Sequence, residues 1–138
     1  MTIQQLKDFF ARNDHSGVLS TADQKGNVNA AIFGSGRLLD ERTLVFGLGD
    51  NRTFDNLKQN PKAVFLCYEQ GATFWDWQGA RIYLEAVEII SQGPLFDDIV
   101  AETRQRGGRV AARNIRAMVV FTITDIRPLV DLLYNRSE

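Results

Sequence analysis

Three extended segments follow one another in the first third of the chain with only short turns between them. Residues 17–21, 28–39 and 43–46 are separated by 23–27, where Gly26 is available for a positive φ, and by Asp40-Glu41-Arg42. Parallel neighbours need a crossover of a dozen or more residues, usually a helix, so these segments can pair only antiparallel. Residues 62–68, 79–90 and 117–126 have the same character. In the last of them Val119, Phe121 and Ile123 alternate with Val120, Thr122 and Thr124, as in a half-buried strand. Thr2 and Gln5 stand at capping-box spacing ahead of the stripe Ile3, Leu6, Phe9 and Phe10, which predicts a helix over 3–12. A two-turn helix over 53–59 stops at Asn60-Pro61, because proline disfavours a helical conformation in the residue before it. Pro94 opens a third helix, striped by Phe96, Ile99, Val100 and Thr103 and ended by Gly107-Gly108. The expectation is a single domain over 1–138, mainly β within the α+β class. It is a six-stranded antiparallel sheet closed into a barrel, with three short flanking helices. Residues 129–134, Leu-Val-Asp-Leu-Leu-Tyr, are apolar enough to pack on the barrel or on a second subunit.

Charge and cysteine usage narrow the function classes. A net charge of −1 gives no general attraction to nucleic acid or anionic membrane. The single cysteine, Cys67, lies in the apolar run 63–68 and reads as a buried strand thiol, and it has no partner for an internal disulfide. One histidine and one cysteine cannot make any common zinc pattern, so no metal site is expected. The first residues carry charge where a signal peptide is apolar, and no run of about 18 apolar residues exists, so the expected location is cytoplasmic.

The stretch with the most chemistry is 47–61, which follows the strand-like Leu44-Val45-Phe46. It places Asn51, Arg52 and Thr53 at the first turn of the short helix. Unpaired backbone N–H groups and the positive end of the helix dipole meet there, and such a turn draws anions. The arginine adds a fork of charged donors, and the neighbours add short neutral ones, a grouping that suits a terminal phosphate. The plainer alternative is a capped surface helix. Elsewhere, Trp75 and Trp77 fall on one side of an extended segment. His15 reads as a partly exposed loop residue and not as a catalyst. Residues 103–116 hold five arginines with no aromatic among them, which reads as a solvated loop over 104–116 and not as a nucleic-acid reader.

Two runs resemble the flavin-binding split-barrel family, which includes pyridoxamine-phosphate oxidases and small bacterial FMN-binding proteins. They are Asn-Arg-Thr-Phe-Asp-Asn-Leu-Lys-Gln-Asn-Pro-Lys-Ala-Val (51–64) and Val-Asn-Ala-Ala-Ile-Phe (28–33), with Gly-Pro-Leu-Phe (93–96) as a weaker match. The resemblance implies a split barrel of Greek-key type and a homodimer with FMN in the grooves between subunits. It assigns the phosphate to Asn51, Arg52 and Thr53. Backbone groups of Asn29, Ala30, Ala31 and Ile32 face the edge of the flavin ring, Phe46 and Gly47 lie beside the ribityl chain, and Gln78 or Arg81 supplies a polar side chain to the ring. Asn29 reads equally as a solvent-facing strand residue. The tryptophans suit either flavin stacking or a dimer contact, and some of the arginines suit the partner's flavin phosphate or a phosphorylated cofactor. The implied function is a flavin-dependent oxidoreductase or a small electron carrier, working between a nicotinamide or protein donor and an acceptor, with no side chain assigned as proton donor. Deazaflavin, haem, or a cofactor-free dimeric binding module are the alternatives. Three departures matter. Ile126-Arg127-Pro128 provides no Arg-x-His substrate motif, so vitamin B6 oxidation is not expected. Asn114 stands where electron-transfer relatives often carry tryptophan. Thr53 replaces a lysine, which weakens the expected hold on phosphate.

Overall fold

A computed structural model describes residues 2–12 and 14–130. Helix α1 (Ile3–Ala11) begins with the expected capping box: Gln5 N donates to Thr2 Oγ1 at 3.2 Å and Thr2 N to Gln5 Oε1 at 2.8 Å. It buries Leu6, Phe9 and Phe10. Seven strands follow: β1 (Gly17–Ala22), β2 (Val28–Phe33), β3 (Arg37–Asp40), β4 (Thr43–Leu48), β5 (Lys62–Glu69), β6 (Gln78–Ile90) and β7 (Ala117–Pro128). Helix α2 (Arg52–Gln59) joins β4 to β5, and α3 (Pro94–Arg113) joins β6 to β7. Every pairing is antiparallel, in the order β2-β1-β5-β6-β7-β4-β3.

The strand count is seven and not six, because the expected 28–39 segment is two strands parted at Gly34-Ser35-Gly36. Ser35 leaves the ladder there and donates its hydroxyl to Gly47 O at 2.9 Å. This break explains the shape. β2 and β3 are the two ends of the sheet, yet the link from Phe33 to Arg37 spans at most about 14 Å. The sheet must therefore roll until its edges nearly meet, which gives a split barrel.

The barrel is filled by Leu19, Leu44, Phe46, Phe65, Ile82 and Phe121, with the Phe46 ring 5.0 Å from Phe65 and 6.0 Å from Phe121. A smaller cluster of Val45, Ile99 and Met118 lies beneath α3, so β4 is buried on both faces. Cys67 is buried as expected, and burial raises its thiol pKa.

Three expectations are corrected. The arginine-rich stretch is mostly helix and not loop: α3 passes through a kink at Gly108 (φ 83°) and runs on to Arg113. The conformation at Gly108 is one that only glycine adopts without strain, so it ends one helical run and lets another start. Trp75 sits in a 3-10 turn (Phe74–Asp76), not an extended segment, because Asp76 binds back to Thr73 through both its backbone N–H and its side chain. Trp77 stacks on Tyr68 with centroids 5.3 Å apart. His15 is buried, with 2% of its surface exposed. Of the apolar tail, Leu129 and Val130 border a cavity with both tryptophans, while 131–134 lie outside the described residues.

Candidate functional site at the start of helix α2

Asn51 caps α2, its Oδ1 accepting from Phe54 N at 2.9 Å. Arg52 is exposed and, among the described residues, has no ion pair or hydrogen bond. Thr53 is 1% exposed, and its Oγ1 accepts from Asn29 Nδ2 at 3.3 Å. One turn on, Asn56 Nδ2 donates to Thr21 Oγ1 at 3.1 Å. These two bonds fix the helix start against β2 and β1. The first turn of α2 and strand β2, 24 residues apart at Asn29 and Thr53, thus become one surface. Among the described residues strand β2 pairs only with β1, which leaves the backbone groups on its other edge without a strand partner there.

Along β2 the side chains alternate: Ala30 and Ile32 are exposed, Asn29 and Ala31 half-buried. Register carries this pattern across the sheet, with Ile32, Val18, Leu66, Arg81 and Arg127 forming one row on the outer face. That face is apolar at the β2 end, where Val28 is 81% and Ile32 76% exposed, and charged at the β7 end.

Not all of the sequence-predicted residues meet. Phe46 points into the core and can offer only its backbone. Gly47 is packed so closely that a Cβ would lie 3.0 Å from Ile99 and 3.1 Å from Ile115. Gln78 pairs with Glu69 at the far end of β5, while Lys62, next to α2, pairs with Glu85. The length of β5, about 23 Å, therefore separates Gln78 from the α2 end of the sheet within one chain. Arg81 Nε donates to Pro128 O at 2.8 Å.

A cavity of about 380 Å³ opens between the split edges of the sheet and α3, and it includes Ile32 and Gly47. Its polar lining was not foreseen from sequence: His15, Ser35, Glu102, Thr103 and Arg106. His15 Nδ1 lies 2.9 Å from Arg12 O, and Arg106 Nη1 lies 3.0 Å from Nε2. The same guanidinium nitrogen lies 2.7 Å from Nδ1, so Arg106 reaches both ring nitrogens and the carbonyl of Arg12 shares Nδ1 with it. Glu102 pairs with Arg106 at 3.0 Å and with Arg37 at 3.8 Å. The i,i+4 spacing of Glu102 and Arg106 was readable, but the contact of Arg106 with His15 spans 91 residues and leaves no local signal. Among the described residues no group of three potential metal ligands occurs, and no helix is long and apolar enough to cross a membrane.

Comparison with known proteins places this architecture. No curated protein matches the sequence. An FMN-binding protein from Syntrophomonas wolfei subsp. wolfei is 26% identical over 96% of this chain and 88% of its own, with a TM-score of 0.83. HutZ, the haem storage protein from Vibrio cholerae, is 15% identical over 95% of this chain and 93% of its own, with a TM-score of 0.65. An F420 reductase is 14% identical over 87% of this chain and 94% of its own, with a TM-score of 0.67. The last two share the fold alone. A sequence model of the family described as pyridoxamine 5'-phosphate oxidase matches residues 3–129. That match runs from the first residue of α1 to just past β7, the whole of the rolled sheet and its helices, and the chain accordingly belongs to the pyridoxamine 5'-phosphate oxidase family.

Proposed function

We propose that this protein is a cytoplasmic FMN-binding flavoprotein that works as a homodimer, either as a flavin-dependent oxidoreductase or as a small electron carrier. The observation that carries the reading is the start of α2. Arg52 is exposed and without a partner among the described residues, at a capped helix N-terminus that hydrogen bonds tie to an edge strand. FMN has a dianionic phosphate at one end and a flat ring with a polar rim at the other. The residues fit both. Arg52 and the first-turn N–H groups supply charged and neutral donors for the phosphate. The open edge of β2, over Asn29 to Ile32, supplies backbone donors and acceptors for the rim, and the apolar side chain of Ile32 covers ring surface. Thr53 contributes mainly by its backbone, since its side chain is buried and holds Asn29 in place. When bound, the flavin supplies the redox chemistry, and the protein's part is to hold it and limit water access.

The dimer is supported by the outer sheet face. Val28 and Ile32 are large, apolar and exposed there, which a second copy would cover. A dimer also gives Gln78 and Arg81 a route to the ring, from the other subunit. Haem is less well served by this chain. Its one histidine, His15, is buried and hydrogen-bonded through both ring nitrogens.

The test is the visible absorbance spectrum of the purified protein, followed by titration with FMN. Flavin bands and saturable binding are expected. Arg52→Ala should lose the equivalent of a charged hydrogen bond, about 1.5–3 kcal/mol or roughly ten- to hundredfold in affinity. A colourless protein that ignores FMN sinks the proposal. A response to a deazaflavin alone, or to no cofactor, would identify the replacement reading.

A further inference from the structure

The outward face of α3 carries a feature apart from the flavin phosphate site proposed at the start of α2. Arg104, Arg109 and Arg113 line a cavity of about 300 Å³, whose remaining walls are Val100 and Ala112. None of the three guanidinium groups has an ion pair or hydrogen bond among the described residues. The nearby carboxylate, Glu102, is turned to the opposite face and is held by Arg106 and Arg37. Arg109 and Arg113 are four residues apart in one helical run, a like-charge spacing that opposes helix formation.

A regular helix could not bring these residues together. At 3.6 residues per turn, Arg109 would lie about 140° around the axis from Arg104, and Arg113 about 180°. The kink at Gly108, with φ 83° and ψ −176°, re-aims the second run so that all three line one hollow. The same glycine that interrupts the helix therefore builds the cationic cluster.

We propose that this hollow binds the diphosphate group of a small molecule. Three guanidinium groups bring three positive charges and planar forks of N–H donors. Two adjacent phosphates offer a matching charge and oxygens in pairs. The three arginines are exposed, so the hollow is open to a ligand from solvent, and Val100 and Ala112 form its apolar floor. Free pyrophosphate, a nucleoside diphosphate and a dinucleotide share this chemistry.

Isothermal titration with pyrophosphate, ADP and a reduced nicotinamide dinucleotide tests the proposal. Saturable binding of about one equivalent per chain is expected for at least one of them, and the tightest names the source. Arg104→Gln, Arg109→Gln and Arg113→Gln should each weaken it about tenfold or more. Arg52→Ala should leave it unchanged, which separates this site from the flavin phosphate and lets either proposal fail alone. Gly108→Ala, in a conformation that strains any side chain, should also weaken it; the flavin spectrum and the melting temperature report whether that variant is folded. The proposal is overturned by no saturable binding at millimolar ligand. It is also overturned by loss of binding only in Arg52→Ala, or by an equal response to potassium chloride at matched ionic strength. Steeply salt-dependent binding of single-stranded RNA without a pyrophosphate site would overturn it in favour of a nucleic-acid surface.

Discussion

At the level of single residues, Thr53 and Cys67 show how a polar and a thiol side chain are put to structural use. Thr53 is buried where a surface-facing phosphate ligand had been expected, and its hydroxyl takes the Asn29 amide. Thr53→Val keeps the volume but removes the acceptor of a half-buried amide that water can still reach, so it should cost about 0.5–1.5 kcal/mol in urea unfolding. An unchanged midpoint would mean that the bond contributes nothing. The exposed Arg52 was legible because the chemistry of a helix N-terminus is local. His15 was not, because its burial depends on Arg106, which only the folded chain brings near. Cys67 should resist a disulfide reagent in the native state and react only at the unfolding rate. Its raised thiol pKa gives the sign with pH: stability is intact below the ordinary thiol range and declines as pH rises through the folded value. Fast labelling of the native protein would contradict its burial.

At the level of elements, caps and turns were the parts most readable in advance. The box at Thr2 and Gln5, the stop at Asn60-Pro61 and the turn over 23–27 all form where short-range chemistry places them. What escaped was punctuation whose meaning is set by distant packing: the break at Gly34–Gly36, and a glycine pair after which α3 starts again. The turn between β1 and β2 gives an acid-sensitive prediction. The side-chain amide and then the backbone N–H of Asn27 hold the Asp23 carboxyl below its ordinary value, and Lys25 N donates to it as well. A lowered pKa means that the stabilisation is full above the ordinary value of 3.8 and is lost as pH falls through the folded one. The gap in melting temperature between wild type and Asp23→Ala should therefore be constant near neutrality and shrink below that value. A gap that persists at lower pH would assign the turn's stability to something other than the carboxylate.

For the whole molecule, the sheet's outer face should decide the oligomeric state. Val28→Asp places a charge in the exposed apolar end of that face without touching the core or the proposed flavin contacts, so it should shift sedimentation toward the monomer. Flavin should be lost in parallel if the second subunit completes the site. A wild-type monomer that still binds FMN would remove the dimer from the reading. The short turns between successive strands made the fold class legible, but they could not say which face meets solvent and which meets another subunit. The order of the strands has one more consequence, for the birth of the protein. β4 is apolar on both faces, yet the strand that hydrogen-bonds along one of its edges, β7, leaves the ribosome only long after it. Until some 70 further residues have been synthesised, the nascent chain carries a sticky, half-paired ribbon whose open edge waits for β7 and whose outer face waits for α3. Chaperone dependence during synthesis, more than the stability of the finished barrel, should therefore limit how much of this protein a cell can make.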